Sequence, residues 1–261
     1  MNVLRRLFAR PRRPRLLALL AFRDEMRFLP DWFRNVPPQV DGVVALDDGS
    51  RDGSGDFVAA QPALIELLRE PSREPHRWDE PRNRRRLIAA GLAHGADWLL
   101  AVDADERLER GFRVRAEPLL RARRGAAYYL HVRELWDDPL RFRADGVWGG
   151  KRSARLFRAR PGMRLDDRPL HGHWAPLDAR RRGDFPPADL LLYHLRMLSA
   201  ADRAARRAKY ERLDPDARSQ EIGYAYLTDE RGLRLAPIAP ERGYEPLPDF
   251  SAWPSSPPGA S

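Results

Sequence analysis

The sequence contains no cysteine, and of its 47 basic residues only Lys151 and Lys209 are lysines. Without cysteine there is no disulfide, no thiolate nucleophile and no cysteine-ligated zinc site. The arginine bias runs through the whole chain, so the net charge of +9 is a matter of composition. The aromatic-interleaved basic motif of RNA-binding modules is missing, and nucleic acid is not an expected partner. Long apolar runs are missing too. Leu16–Phe22 (LLALLAF) is far shorter than the ~20 residues a membrane helix needs, and no small-residue cleavage site follows it. There is no Gly-rich phosphate loop after this first apolar segment, where the chain reads FRDEMR. There is no internal repeat.

What is present is an alternation. Residues 16–22, 42–46, 63–68 and 97–102 have the length of buried strands, and 25–36, 53–60 and 82–94 between them read as helices. Such alternation predicts a parallel sheet of βαβ units, with ligands at the C-terminal strand ends. The acids fall at those ends: FRDE (22–25), LDDGSRDGS (46–54) and VDADE (102–106). One such cluster reads as a helix cap or Asx turn, whereas three on one edge point to a shared pocket. Glu106 reads either as a partner of the neighbouring acids or as a cap. Further on, 126–136, 153–159 and 190–195 read as strands around the loop DGVWGG (145–150). Residues 199–213 form a helix capped by Ser199, with Asp202 at N3 of a capping box. Beyond residue 236 the chain turns to Pro, Ser and Gly, the composition of a loosely packed tail. Residues 1–15 form a basic arm suited to anionic lipid, which places the expected location in the cytoplasm, peripheral at the inner face of the membrane.

Taken in order, RDE after the first strand, VVALDDGSRDGS (43–54) and NRRRLIAAGLAHGADWLLAVDADE (83–106) resemble the family 2 glycosyltransferases of GT-A fold. Within that family the likeness is to small bacterial lipopolysaccharide-core and cell-surface glycan transferases. It is good over 16–110 and looser beyond. It implies a Rossmann-like, mostly parallel α/β sheet flanked by helices, with an irregular C-terminal acceptor-side half. The implied domain is 16–235, divided into a nucleotide-sugar half (16–110) and an acceptor half (111–235), with 236–261 as the tail. The implied activity is metal-dependent inverting transfer of a sugar from a nucleotide-diphosphate sugar to a glycan or lipid-linked acceptor. A divalent cation suits that chemistry, because the diphosphate leaving group gains negative charge and hard carboxylate oxygens favour Mn²⁺ or Mg²⁺. By resemblance Asp105 ligates the metal, and Asp103 contacts the ribose or shares the metal. Asp48 faces base and ribose, and Arg23, Asp24 and Glu25 line the nucleotide pocket. Arg82 and Arg86, at i, i+4 with Arg85 between them, are placed either to meet phosphate or to form a solvated basic face.

Inverting transfer needs a base for the acceptor hydroxyl. The Glu-Asp motif that carries it in many family members is absent. The carboxylates available are Asp167 and Asp166 in RLDDRPLHGHW, and Glu134 in VRELWDD. Two histidines are candidate third metal ligands: His171 in HGHW, and His194 in YHLR. The latter precedes a helix with Lys209 and Tyr210, as in the lipopolysaccharide-core type transferases. His173 reads as a local hydrogen-bonding residue, and Trp148 and Trp174 as core or as sugar-stacking platforms. A nucleotidyltransferase acting on sugar phosphates is disfavoured by the missing phosphate loop. A non-enzymatic basic anion-binding protein would have no use for the ordered acids.

Overall fold

LLALLAF becomes a strand buried on both faces, as an apolar run inside a parallel sheet should be. In the computed structural model, which describes residues 12–74, 78–123, 125–169, 172–181 and 185–249, it is β1 (Leu16–Phe22). There follow α1 (Leu29–Asn35), β2 (Val43–Asp47), α2 (Ser54–Ala59), β3 (Leu64–Arg69), α3 (Glu80–Ala93), β4 (Trp98–Ala101), β5 (Glu106–Leu108) and α4 (Phe112–Arg121). The second half adds β6 (Ala127–Glu134), β7 (Arg141–Arg143), α5 (Gly146–Gly149), β8 (Arg152–Arg158), α6 (Leu177–Arg181), β9 (Pro187–His194), α7 (Ala200–Leu213) and β10 (Leu235–Pro237).

Eight strands form one mixed sheet in the order β3-β2-β1-β4-β8-β6-β9-β5. The first four run parallel. β8 is antiparallel to β4 and β6, β9 is parallel to β6, and β5 is antiparallel to β9. The period of two along β1 divides its side chains between two cores. Leu16, Ala18, Leu20 and Phe22 pack with Trp32 of α1 and Phe112 of α4, while Leu17 and Leu19 meet Leu87 and Ile88 of α3 on the other face. Helix α3 lies so close to β4 that a Cβ on Gly91 would come within 2.6 Å of Leu99 Cδ2.

The structure departs from the sequence expectations in three places. The first helix begins at Leu29, not 25: Asp24 takes a left-handed φ of 52°, residues 26–28 form a turn, and a proline stands in the first helical turn. Residues 106–108, not read as a strand, form β5 at the edge of the main sheet beside β9, while the expected strands 126–136, 153–159 and 190–195 enter it as β6, β8 and β9. Residues 236–249, expected to be loose, are packed. β10 pairs with β7, Tyr244 is buried with its ring 4.9 Å from that of Tyr193, and Arg242 pairs with Glu109 and Asp189. The ion pair of Arg242 with the buried Glu109 and one tyrosine anchor this segment where apolar content could not. Residues 250–261 and 1–11 lie outside the described residues, while the end of the arm is tied down by Arg12 on Asp97 at 2.7 Å. Among the described residues no helix is long and apolar enough to cross a membrane.

Candidate active site

Parallel pairing aligns the acid-bearing strand ends. Phe22 is opposite Asp47, and Leu19 is opposite Ala101, so the loops after β1, β2 and β4 leave the sheet on one edge. The first two loops are bonded to each other. Asp24 Oδ1 accepts the Arg51 N–H at 2.7 Å, and the N–H groups of Asp24 and Glu25 donate to Ser50 Oγ and Ser54 Oγ at 3.1 and 3.0 Å. The Asp24 carboxylate therefore holds the loop together, and Arg23 reaches it through Nε at 3.3 Å. Asp48 is buried behind them, with its N–H on Phe22 O at 2.9 Å. Burial raises its carboxyl above the usual carboxylate range, opposed by the nearby side chain of Asn83 of α3.

Asp105 sits at the centre of the edge. The register of β9 decides what surrounds it, because His194 is paired with Glu134 on β6 and with Glu106 on β5. Leu195 N–H donates to Asp105 O at 2.8 Å and locks the end of β9 to the acidic turn. His194 Nδ1 bonds Glu134 Oε2, and its Nε2 lies 3.3 Å from Asp105 Oδ2. Arg196 Nε is 2.7 Å from the same Asp105 oxygen, and its other arm holds Glu25. Glu134 also binds Lys151 Nζ. Burial favours the neutral forms of Asp105, Glu134 and His194, and the pairing overrides it at all three. Asp105 stays well below the usual range through Arg196 and His194, and Glu134 through His194 and Lys151. His194 is raised to about 9 by Glu134 and Asp105. At Glu25 burial prevails over Arg196 and lifts the carboxyl to about 7.

Asp103 points outward from the same turn, with a side chain 42% exposed. Arg155 NH2 bonds both Asp103 Oδ2, at 2.7 Å, and Glu106 Oε1, at 2.8 Å. Glu106 Oε2 accepts the Asp103 N–H at 2.8 Å. Glu106 is thus the buried partner that fixes Asp103, not a cap, and burial raises its carboxyl to about 7 against the pull of Arg155.

Other expected site residues stand differently. Arg82 and Arg86 both grip Glu70, the former at 3.0 and 3.2 Å, so their guanidiniums face a carboxylate. Asp166 is buried in a turn where Arg168 and the His173 N–H hold it; these bonds outweigh desolvation and keep it well below the usual range. Asp167, 78% exposed and paired with Arg85, lines an open hollow of about 710 Å³ with Met163, Arg164 and Leu177. Arg84, fully buried, ties this loop to α3 by donating to Asp166 O at 2.7 Å and binding Glu80. His171 lies outside the described residues. Trp148 is core, edge-on to Trp136 and tilted against Tyr226, while Trp174 lies against Arg84. Sequence reasoning missed Lys151, Arg155, Arg196 and Arg206. The available signal was an arginine inside the apolar run SARLF and another directly after YHL.

The carboxylate of Asp105 suits Mn²⁺ or Mg²⁺ in kind, and the imidazole of His194 favours the softer Mn²⁺ of the two. Adjacent ligands ~2.1 Å from one cation lie about 3 Å apart, close to their 3.3 Å separation. Glu134 on Nδ1 gives the imidazole the orientation that metal-bound histidines have. An imidazolium does not ligate, so a cation there would release the proton of His194. Among the described residues no group of three or more His, Asp or Glu side chains is arranged to hold a metal. Mg²⁺ completes its shell with water and substrate phosphate when only one or two protein groups bind it.

No protein-family model matches the chain. An uncharacterized protein of Mycobacterium tuberculosis and its counterpart in Mycobacterium bovis are 29% identical over 237 residues, covering 85% of this chain. The chain spans 58% of the length of these curated relatives. Among solved structures, S. aureus TarS 1–349 is similar with a TM-score of 0.50 at 10% identity, over 83% of this chain and 70% of that one. The same protein in complex with UDP gives 0.51 at 11% identity, with the same coverage. At such identities the likeness shows architecture, and the architecture is that of the GT-A glycosyltransferases.

Proposed function

We propose that the chain is a metal-dependent inverting glycosyltransferase that moves a sugar from a nucleotide-diphosphate sugar to a cell-surface glycan or lipid-linked acceptor. The observation that carries this reading is Asp105 with His194 Nε2 at 3.3 Å, on the strand-end edge that also holds Glu25, Asp48 and Asp103. The UDP bound by TarS on the same fold supports a nucleotide-diphosphate donor.

In this reading Asp48, Asp103 and Glu25 line the nucleotide side. Asp105 and His194 would hold Mn²⁺ or Mg²⁺, whose charge stabilises the departing diphosphate. Glu134 is a positioning residue, because it fixes the ring and tautomer of His194 and is itself saturated by Lys151. Asp166 is held by Arg168 and the His173 N–H, which leaves it a weak base. Asp167, open to an incoming hydroxyl beside the 710 Å³ hollow, is the base we assign. Arg82 and Arg86 would reach phosphate only by leaving Glu70. The basic arm remains a proposed contact for anionic lipid at the inner membrane face.

The test is a screen of UDP-, GDP-, dTDP- and CMP-linked sugars with Mn²⁺, followed by Asp105→Ala. Turnover should fall well beyond ~100-fold, since even outer-shell partners cost 10–100-fold. Unaltered turnover in the folded variant would falsify the site assignment.

A further inference from the structure

Among the described residues, one cation of the cluster has no carboxylate at ion-pairing distance. Arg206, on α7, is half-buried beside Asp105, Glu134 and Arg196. Among the described residues no carboxylate lies within ion-pairing distance of it. Its polar contact is NH1 to His194 Nε2 at 3.4 Å, and its guanidinium lies 5.4 Å from the Tyr210 ring centre. The nearby carboxylates are already engaged: Asp105 by Arg196 and His194, Glu134 by Lys151 and His194. A half-buried guanidinium with no carboxylate at ion-pairing distance keeps its fork open to an incoming anion. Arg196 shares the edge, lying 4.7 Å from the Phe28 ring centre with one arm on Glu25 and the other on Asp105. The two arginines flank the Asp105–His194 pair.

We propose that Arg206, with Arg196 beside it, is a phosphate-binding pair that receives the diphosphate of the donor as it departs. The inference rests on the reading of the chain as a nucleotide-sugar transferase. Arginine suits the task because its planar fork meets phosphate oxygens in pairs. Arg196 moves from Asp105 to phosphate as the donor binds, and Arg206 gains an anion at ion-pairing distance. The leaving group's negative charge is then met by protein cations as well as by any metal.

The test is titration calorimetry on the full chain with UDP, GDP, dTDP and CDP, the corresponding nucleosides, and inorganic pyrophosphate, in Mn²⁺ and again in EDTA. The variants are Arg206→Met, Arg206→Lys and, as a control, Arg207→Met, whose arginine pairs with Glu211 at 2.7 Å. Arg206→Met should weaken diphosphate binding ~10-fold or more, in EDTA as well as Mn²⁺. Nucleoside binding should be unchanged, Arg206→Lys should recover part of the loss, and Arg207→Met should match the wild type. Diphosphate binding as tight in a folded Arg206→Met as in the wild type overturns the phosphate site and leaves the transferase reading standing. Pyrophosphate binding that needs Arg206, without binding of any nucleotide, supports the phosphate site and overturns the transferase reading. If neither pyrophosphate nor nucleotide binds the wild type, both fail. A thermal melt with Arg206→Lys keeps the result interpretable if the methionine variant does not fold.

Discussion

Glu134 shows how a single carboxylate can govern a site it does not face. Its two oxygens bind His194 Nδ1 and Lys151 Nζ, so the Nε2 of the histidine is left pointing at Asp105. Replacing it by glutamine keeps the shape and removes the charge that holds the imidazole in place. Glu134→Gln should lower Mn²⁺ affinity 10- to ~100-fold, read by metal-dependent thermal shift, with the apo fold retained. Asp167 is the converse case, an exposed carboxylate with one ion pair to a surface arginine. Asp167→Asn should reduce kcat by ~100-fold or more while KM for the donor changes little, measured by initial rates. Equal kcat would assign the base elsewhere.

Elements meet this site through polar ties as much as through apolar faces. Asn35, at the end of α1, is buried; its Oδ1 accepts the Leu108 N–H at 2.7 Å and its Nδ2 donates to Leu108 O and Glu245 O at 3.0 and 2.8 Å. One side chain thus joins a helix, the short edge strand β5 and the C-terminal segment. Asn35→Ala leaves the Leu108 N–H and two carbonyls without a partner, and urea unfolding should show a loss of about 2–3 kcal/mol. A change below about 0.5 kcal/mol would mean that water replaces these bonds. The same logic explains why β5 escaped the sequence. Glu106, Arg107 and Leu108 carry no apolar pattern, and the strand exists because β9 pairs with it and Arg155 meets the carboxylate of Glu106. Strands β1, β2, β3 and β4, by contrast, could be placed to within a residue or two from their local apolar runs.

At the scale of the molecule, the C-terminal segment closes over β9 and the end of β5. Arg242 binds Glu109, which is wholly buried, and Asp189, while Tyr193 Oη donates to Arg242 O at 2.7 Å. Arg242→Ala strands part of the charge of Glu109, with Arg115 at 3.4 Å as its remaining ion partner. The variant should be destabilised by about 3 kcal/mol in chemical unfolding, as for other broken buried pairs. A loose tail would show no change. Composition misled here because Pro and Ser content describes what a segment lacks, whereas its packing rests on one arginine and one tyrosine. The sequence by itself determined the four parallel strands and the acids at their ends, since strand period and strand-end position are local properties of the chain. Only the tertiary structure decided which cation meets which acid. Asp105 and Arg196 are 91 residues apart, and Asp103 and Arg155 are 52 apart. Their meeting depends on β9 and β8 entering the sheet out of chain order, a long-range pairing that no local pattern encodes.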